Sequence, residues 1–89
     1  MSQSISIRSE EVICSEFDGG EGILVDLKTK RYYQLNETAL IIWKGLEKGD
    51  TVSEIVDTVV AGYEVVPEYA DDRVRELIRQ LESYRLVGN

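Results

Sequence analysis

The sequence predicts an α+β fold: a three-stranded antiparallel sheet followed by three helices, winged helix-turn-helix-like in plan. Three observations carry that prediction. A length of 89 residues allows one small domain. The front of the chain holds three short runs of β-branched, aromatic and other apolar residues, separated by turn residues. The back holds three stretches with apolar residues at helical spacing, each opened by its own start signal.

The elements follow in order. Residues 1–10 are expected to be a flexible or strand-extending N-terminus, with residues 5–8 adding to the first strand, and residues 11–89 to form a single domain. Glu11–Phe17 is the first strand. Asp18-Gly-Gly-Glu-Gly22 is a turn, because glycine adopts positive φ without strain. Ile23–Leu27 and Arg31–Leu35 are the second and third strands, and Lys28-Thr29-Lys30 between them has hairpin length. Asn36 is a good N-cap, and Ala39, Ile42, Trp43 and Leu46 after it repeat at helical period. Gly49 stands where a helix-ending glycine belongs. Thr51-Val-Ser-Glu54 is a capping box, in which Thr and Glu side chains satisfy each other's backbone donors. Val52, Ile55, Val56, Val59, Val60 and Tyr63 then form an apolar stripe; its period outweighs the weak preference of valine for strands. Pro67 suits the first turn of a third helix, whose apolar positions are Ala70, Val74, Leu77, Ile78, Leu81 and Tyr84. Glu68, Asp71 and Asp72 near its start, with Arg79 and Arg85 toward its end, complement the helix dipole.

Composition narrows the function classes. Seventeen acidic against ten basic residues give a net charge of −7, which repels the phosphates that dominate nucleic-acid affinity. Histidine is absent, which removes the usual general base at neutral pH and the commonest metal ligand. The single cysteine, Cys14, cannot form an intrachain disulfide and has no histidine to activate it, so it reads as a small apolar strand residue in a reducing, cytoplasmic setting. The polar start of the chain lacks a signal peptide's apolar core, and no apolar run reaches the ~20 residues of a membrane span. Gly19-Gly20-Glu-Gly22 does not match a phosphate-binding loop. Asp71 and Asp72 are adjacent on a helix and therefore point ~100° apart, which does not make a cation cage. No catalytic residue, metal site or cofactor is expected.

Two features remain. In Arg31-Tyr-Tyr-Gln-Leu35, alternation puts Tyr33 and Leu35 on the inner face, with Tyr32 and Gln34 outside. If this strand lies at a sheet edge, its unpaired backbone groups invite an added strand. The last helix sets its apolar positions beside Arg73, Arg75, Arg79 and Arg85. The pairing of Asp71 with Arg75 accounts for part of that series. Anchoring of an acidic peptide, or of DNA by a winged-helix reader, would use it too.

The segment Ile23–Leu46, ILVDLKTKRYYQLNETALIIWKGL, resembles the PqqD-like family, also called precursor-peptide recognition elements. Its most specific piece is Tyr-Tyr-Gln-Leu-Asn-Glu-Thr-Ala at 32–39, and Thr51–Ile55, Tyr63–Pro67 and Arg-Leu-Val at 85–87 extend the likeness over residues 11–87. The hairpin wording is similar to stand-alone recognition proteins of split lasso-peptide systems. It lacks the Pro-Glu-Gly-type hairpin of PQQ-pathway members. Two positions depart from the common pattern: Lys30 stands where members often have Gly, and Val66 where they often have Asp.

What the resemblance implies is a non-catalytic adaptor that binds the leader of a ribosomally made precursor peptide by β-strand addition. The leader would pair along Arg31, Tyr32, Tyr33, Gln34 and Leu35. It would lie over a groove walled by Val74, Leu77, Ile78 and Leu81, with Arg73 and Arg75 receiving acidic side chains. The implied partners are the precursor, a leader peptidase and a cyclase or other modifying enzyme, without nucleic acid or membrane. Two alternatives stand beside this: a PQQ-type chaperone delivering its precursor to a radical SAM enzyme, and a winged-helix DNA-binding protein.

Overall fold

A computed structural model describes residues 6–7 and 12–88 of the chain. The order is β1 (Ser6–Ile7), β2 (Val12–Glu16), β3 (Gly22–Asp26), β4 (Arg31–Leu35), α1 (Glu37–Lys48), α2 (Val52–Tyr63), α3 (Pro67–Ser83) and β5 (Val87–Gly88). Strands β2, β3 and β4 form one antiparallel sheet in that order, so β4 is an edge strand. Its register places Cys14, Leu24 and Tyr33 in one row and Ile13, Val25 and Tyr32 in the next.

Each connection is set by local chemistry. Between β2 and β3, Gly19 and Gly20 take φ of 96° and 86°, and the Phe17 N–H donates to the Glu21 carbonyl at 2.8 Å. Between β3 and β4, the buried Asp26 carboxylate accepts from the Lys28 and Thr29 amides at 3.0 and 3.4 Å. The Asp26 carbonyl accepts from Lys30 N–H at 2.8 Å, which Lys30 reaches with a left-handed φ of 63°. The turn at Lys30 thus keeps the backbone shape that a glycine adopts more easily, and a lysine bears the strain.

The helix starts predicted from sequence are in place. The Asn36 side chain accepts from Ala39 N–H at 2.8 Å. Thr51 and Glu54 complete their capping box in both directions, at 3.2 and 2.8 Å. The Thr51 amide, donating to Glu54 Oε1, holds the Glu54 carboxyl below the usual carboxylate range, and the Thr51 hydroxyl beside it contributes next. At α3 the N-cap is Val66, which supplies no side-chain bond, and Pro67 opens the helix without an N–H to satisfy.

The core lies between the inner face of the sheet and the three helices. It contains Leu24 and Leu35 from the sheet, Leu40, Ile42, Trp43 and Leu46 from α1, Ile55 and Val59 from α2, and Ala70, Val74, Ile78 and Leu81 from α3. Trp43 is 1% exposed, and its indole N–H has no hydrogen-bond partner among the described residues. Cys14 sits half-buried against this core. Its thiol is pushed up by burial first, then by the Glu47 and Glu16 carboxylates, with Lys44 opposing.

The chain ends differ from expectation. Ser6–Ile7 do not extend β2; they pair antiparallel with Val87–Gly88 in a separate two-stranded sheet. The physical reason lies in the buried pair Leu86 and Val87, which carries the chain out of α3 and into the core where a second strand can join it. Residues 5 and 8 of that expected extension lie outside the described residues, as does Glu11 of the first strand.

Candidate functional site

The β4 strand presents the features of a binding edge. Among the described residues, only β3 pairs with it, so its other side has backbone donors and acceptors unpaired within the sheet. Its side chains alternate as the sequence requires: Leu35 is buried, Tyr33 half-buried, and Arg31, Tyr32 and Gln34 exposed. Tyr32 is 73% exposed on the outer face, a large aromatic surface with little packing of its own.

Beside the end of β4 lies a cleft of about 150 Å³ between α1 and α3. Gln34 and Asn36 border it from the strand side, Ala39 and Ile42 from α1, and Arg73, Leu77 and Gln80 from α3. Its apolar floor therefore comes from both helices. Of the four expected wall residues, Val74, Ile78 and Leu81 are 0, 6 and 2% exposed and belong to the core. Leu77 alone of the four is half-buried and reaches the cleft. The correction is geometric: the stripe is wide enough that most of it is consumed in holding α3 to the protein, leaving its boundary position for the surface.

Arg73 borders the cleft and bonds Glu76 at 3.4 Å. Arg75 instead grips Asp71 through its Nε, at 2.9 and 3.1 Å, and does not line the cleft. The expected arginine pair is thus split. The structure brings Arg73 to the cleft and commits Arg75 to an intrahelical ion pair.

Tyr84, an apolar position of the third helix by its spacing, packs against β4. Its ring stacks on Tyr33, with centroids 4.5 Å apart and planes inclined by 29°. Tyr84 is 45% exposed, so the pair forms an aromatic step where the chain leaves α3 beside β4. Ile42 is core, as its spacing predicts, and meets the cleft only from beneath, whereas the half-buried Ala39 and the exposed Gln80 reach it at the surface of their helices. Their helical spacing was visible, but the gap left between two helices at the end of a strand was not.

Among the described residues, no three His, Cys, Asp or Glu side chains converge to hold a metal ion. No helix there is long and apolar enough to cross a membrane.

Comparison with known proteins gives a consistent result. The family described as coenzyme PQQ synthesis protein D (PqqD) matches residues 21–87. A solved structure described as TbiB1 in complex with the TbiA(beta) leader peptide is 31% identical. The match covers 94% of this chain and 95% of that one, with a TM-score of 0.85. A second, described as lasso peptide synthetase B1 complexed with the leader peptide, has a TM-score of 0.83 over 98% of this chain and 100% of that one. At 24% identity, that likeness is one of fold. No curated protein matches.

Proposed function

The chain belongs to the PqqD family, and from that premise we propose that it is a leader-binding adaptor of lasso-peptide biosynthesis. The leader of a precursor peptide adds as a strand to β4. Side chains on its inner side enter the cleft at Leu77, and the protein presents the precursor to a leader peptidase and a cyclase. The adaptor itself performs no chemistry, and residues 11–89 act as one recognition domain.

The observation that carries this reading is the free edge of β4 beside a cleft with Leu77 and Ile42 at its base. Backbone pairing supplies affinity that tolerates sequence change, while a pocket for alternate side chains supplies selectivity. Ordering a flexible leader costs free energy, so apolar anchors must provide the surplus. The relative at 31% identity is itself described with a leader peptide bound, which supports the same role here.

The alternatives have less support. A lasso role is favoured over PQQ delivery by the Leu27–Lys30 hairpin, which lacks the Pro-Glu-Gly type of PQQ-pathway members. A DNA-reading α3 is opposed by the net charge of −7, which repels the phosphates that dominate nucleic-acid affinity.

Amide hydrogen exchange tests strand addition directly. On adding a synthetic leader, edge-facing amides of β4 should gain protection while those of β2 remain unchanged. Saturable binding without protection at β4 would overturn the proposed mode.

A further inference from the structure

A second cleft, of about 350 Å³, lies at the same end of β4, and the outward parity of Ile23 and Gln34 opens it toward the other face of the sheet. Phe17, Glu21, Ile23, Gln34 and Asn36 border it, together with the buried Gly22 and Leu35. Its placement follows from the strand pleat. Ile23 pairs with Gln34, and both alternate with the inward residues Leu24, Tyr33 and Leu35. Phe17 continues the outward parity of Ile13 and Ser15, whereas Glu16 points inward and pairs with Lys44 of α1. Phe17 is 53% exposed, so its ring is an uncovered apolar wall. Glu21 supplies an exposed carboxylate, Asp18 stands in the adjoining turn, and no basic residue lines this cleft.

Gln34 and Asn36 border both clefts, so the two sites meet around the end of one edge strand. Their chemistry is opposite. The inner cleft carries Leu77 and the guanidinium of Arg73; the outer carries Phe17, Ile23 and the carboxylate of Glu21.

We infer that the outer cleft is a second specificity site, which takes a lysine or arginine of the same peptide whose inward residue fills the Leu77 cleft. The inference rests on the strand-addition reading above. A long basic side chain lays its methylenes over Phe17 and Ile23 and brings its charge to Glu21, with the Phe17 face adding a cation–π contact. Because successive residues of an extended peptide point to opposite faces, the basic residue and the inward anchor stand an odd number of positions apart. An even spacing would send both to one face.

The test is a selection of random short peptides, displayed on mRNA, against the full chain and against Glu21→Lys and Leu77→Asp variants. Selection on the parent chain should enrich peptides with an apolar anchor and a Lys or Arg at odd spacing from it. On Glu21→Lys the anchor should persist, while the basic position turns acidic. The parent consensus peptide should bind Glu21→Lys about threefold to tenfold more weakly, and an acidic replacement at that position should restore it. Phe17→Ala should weaken the same peptide without changing the anchor preference. Glu21→Lys and Phe17→Ala alter exposed side chains, so unchanged melting curves verify their folding. A basic residue at even spacing, or one insensitive to Glu21→Lys, would overturn the outer site alone. Enrichment that survives Leu77→Asp unchanged would instead overturn the underlying reading of the inner cleft.

Discussion

Replacing Leu77 by aspartate probes the inner cleft with little disturbance to the fold, because Leu77 is half-buried while its neighbours on α3 are sealed. Full burial of a leucine side chain is worth ~1.5–3 kcal/mol. Since Leu77 is already partly covered, a bound peptide gains roughly half of that, ~1 kcal/mol. A carboxylate in its place must shed water when the peptide lands, at a cost of ~1–3 kcal/mol. Arg73, one helical turn earlier and on the same cleft, offsets part of that cost by pairing with the new acid. The net loss is about 2–3 kcal/mol, or roughly 30- to 150-fold in Kd. Fluorescence anisotropy of a labelled synthetic leader measures it, and thermal melting by circular dichroism monitors the fold. Ile78→Ala is the contrast: at 6% exposure its truncation should cost ~2–5 kcal/mol of stability, so any loss of binding should follow unfolding. An affinity for Leu77→Asp within about twofold of the parent, with an unchanged melting curve, would refute the placement of the peptide over this cleft.

Four further outcomes are expected. Gly45→Ala should destabilise by ~0.5–2 kcal/mol despite better helix propensity, because an added Cβ meets Ile55 Cγ1 at 2.7 Å; a higher melting temperature would contradict this. Lys30→Gly should raise stability by up to ~1 kcal/mol by relieving the left-handed φ of 63°, and a loss in denaturant titration would count against that turn. The Glu54 carboxyl is lowered in the folded state, so its contribution is complete above the ordinary carboxylate range and fades as pH falls through its folded pKa. The stability gap between the parent and Glu54→Ala should therefore narrow in acid, and a gap independent of pH would disprove the assignment. Cys14→Ser should leave leader affinity unchanged, and the raised thiol should react with iodoacetamide at neutral pH more slowly than a free thiol.

What the sequence revealed follows from how local each signal is. Asn36, Thr51 with Glu54, and Pro67 act on backbone within a turn, and all three sit where their chemistry places them. The inward set of Leu35 and Tyr33 followed from a period of two alone. The valines of α2 favour strands by propensity, yet Ile55, Val56 and Val59 are buried on one helical face. Periodicity marks a residue as inward but does not distinguish core from cleft; the family resemblance implies a groove wall at Val74, Ile78 and Leu81, while their burial puts them in the core. The stacking of Tyr33 on Tyr84 and the pairing of Ser6–Ile7 with Val87–Gly88 join residues distant in the chain. No local pattern encodes either contact.

That last pairing has a practical consequence. Because Ser6–Ile7 and Val87–Gly88 run side by side, the fold is closed like a loop of string held at one knot. The unit therefore has the geometry of a cassette: it can be spliced into an exposed turn of a larger scaffold with both junctions at one point. Equally, the two ends can be joined by a short linker and the chain reopened at the Leu27–Lys30 turn, away from the clefts.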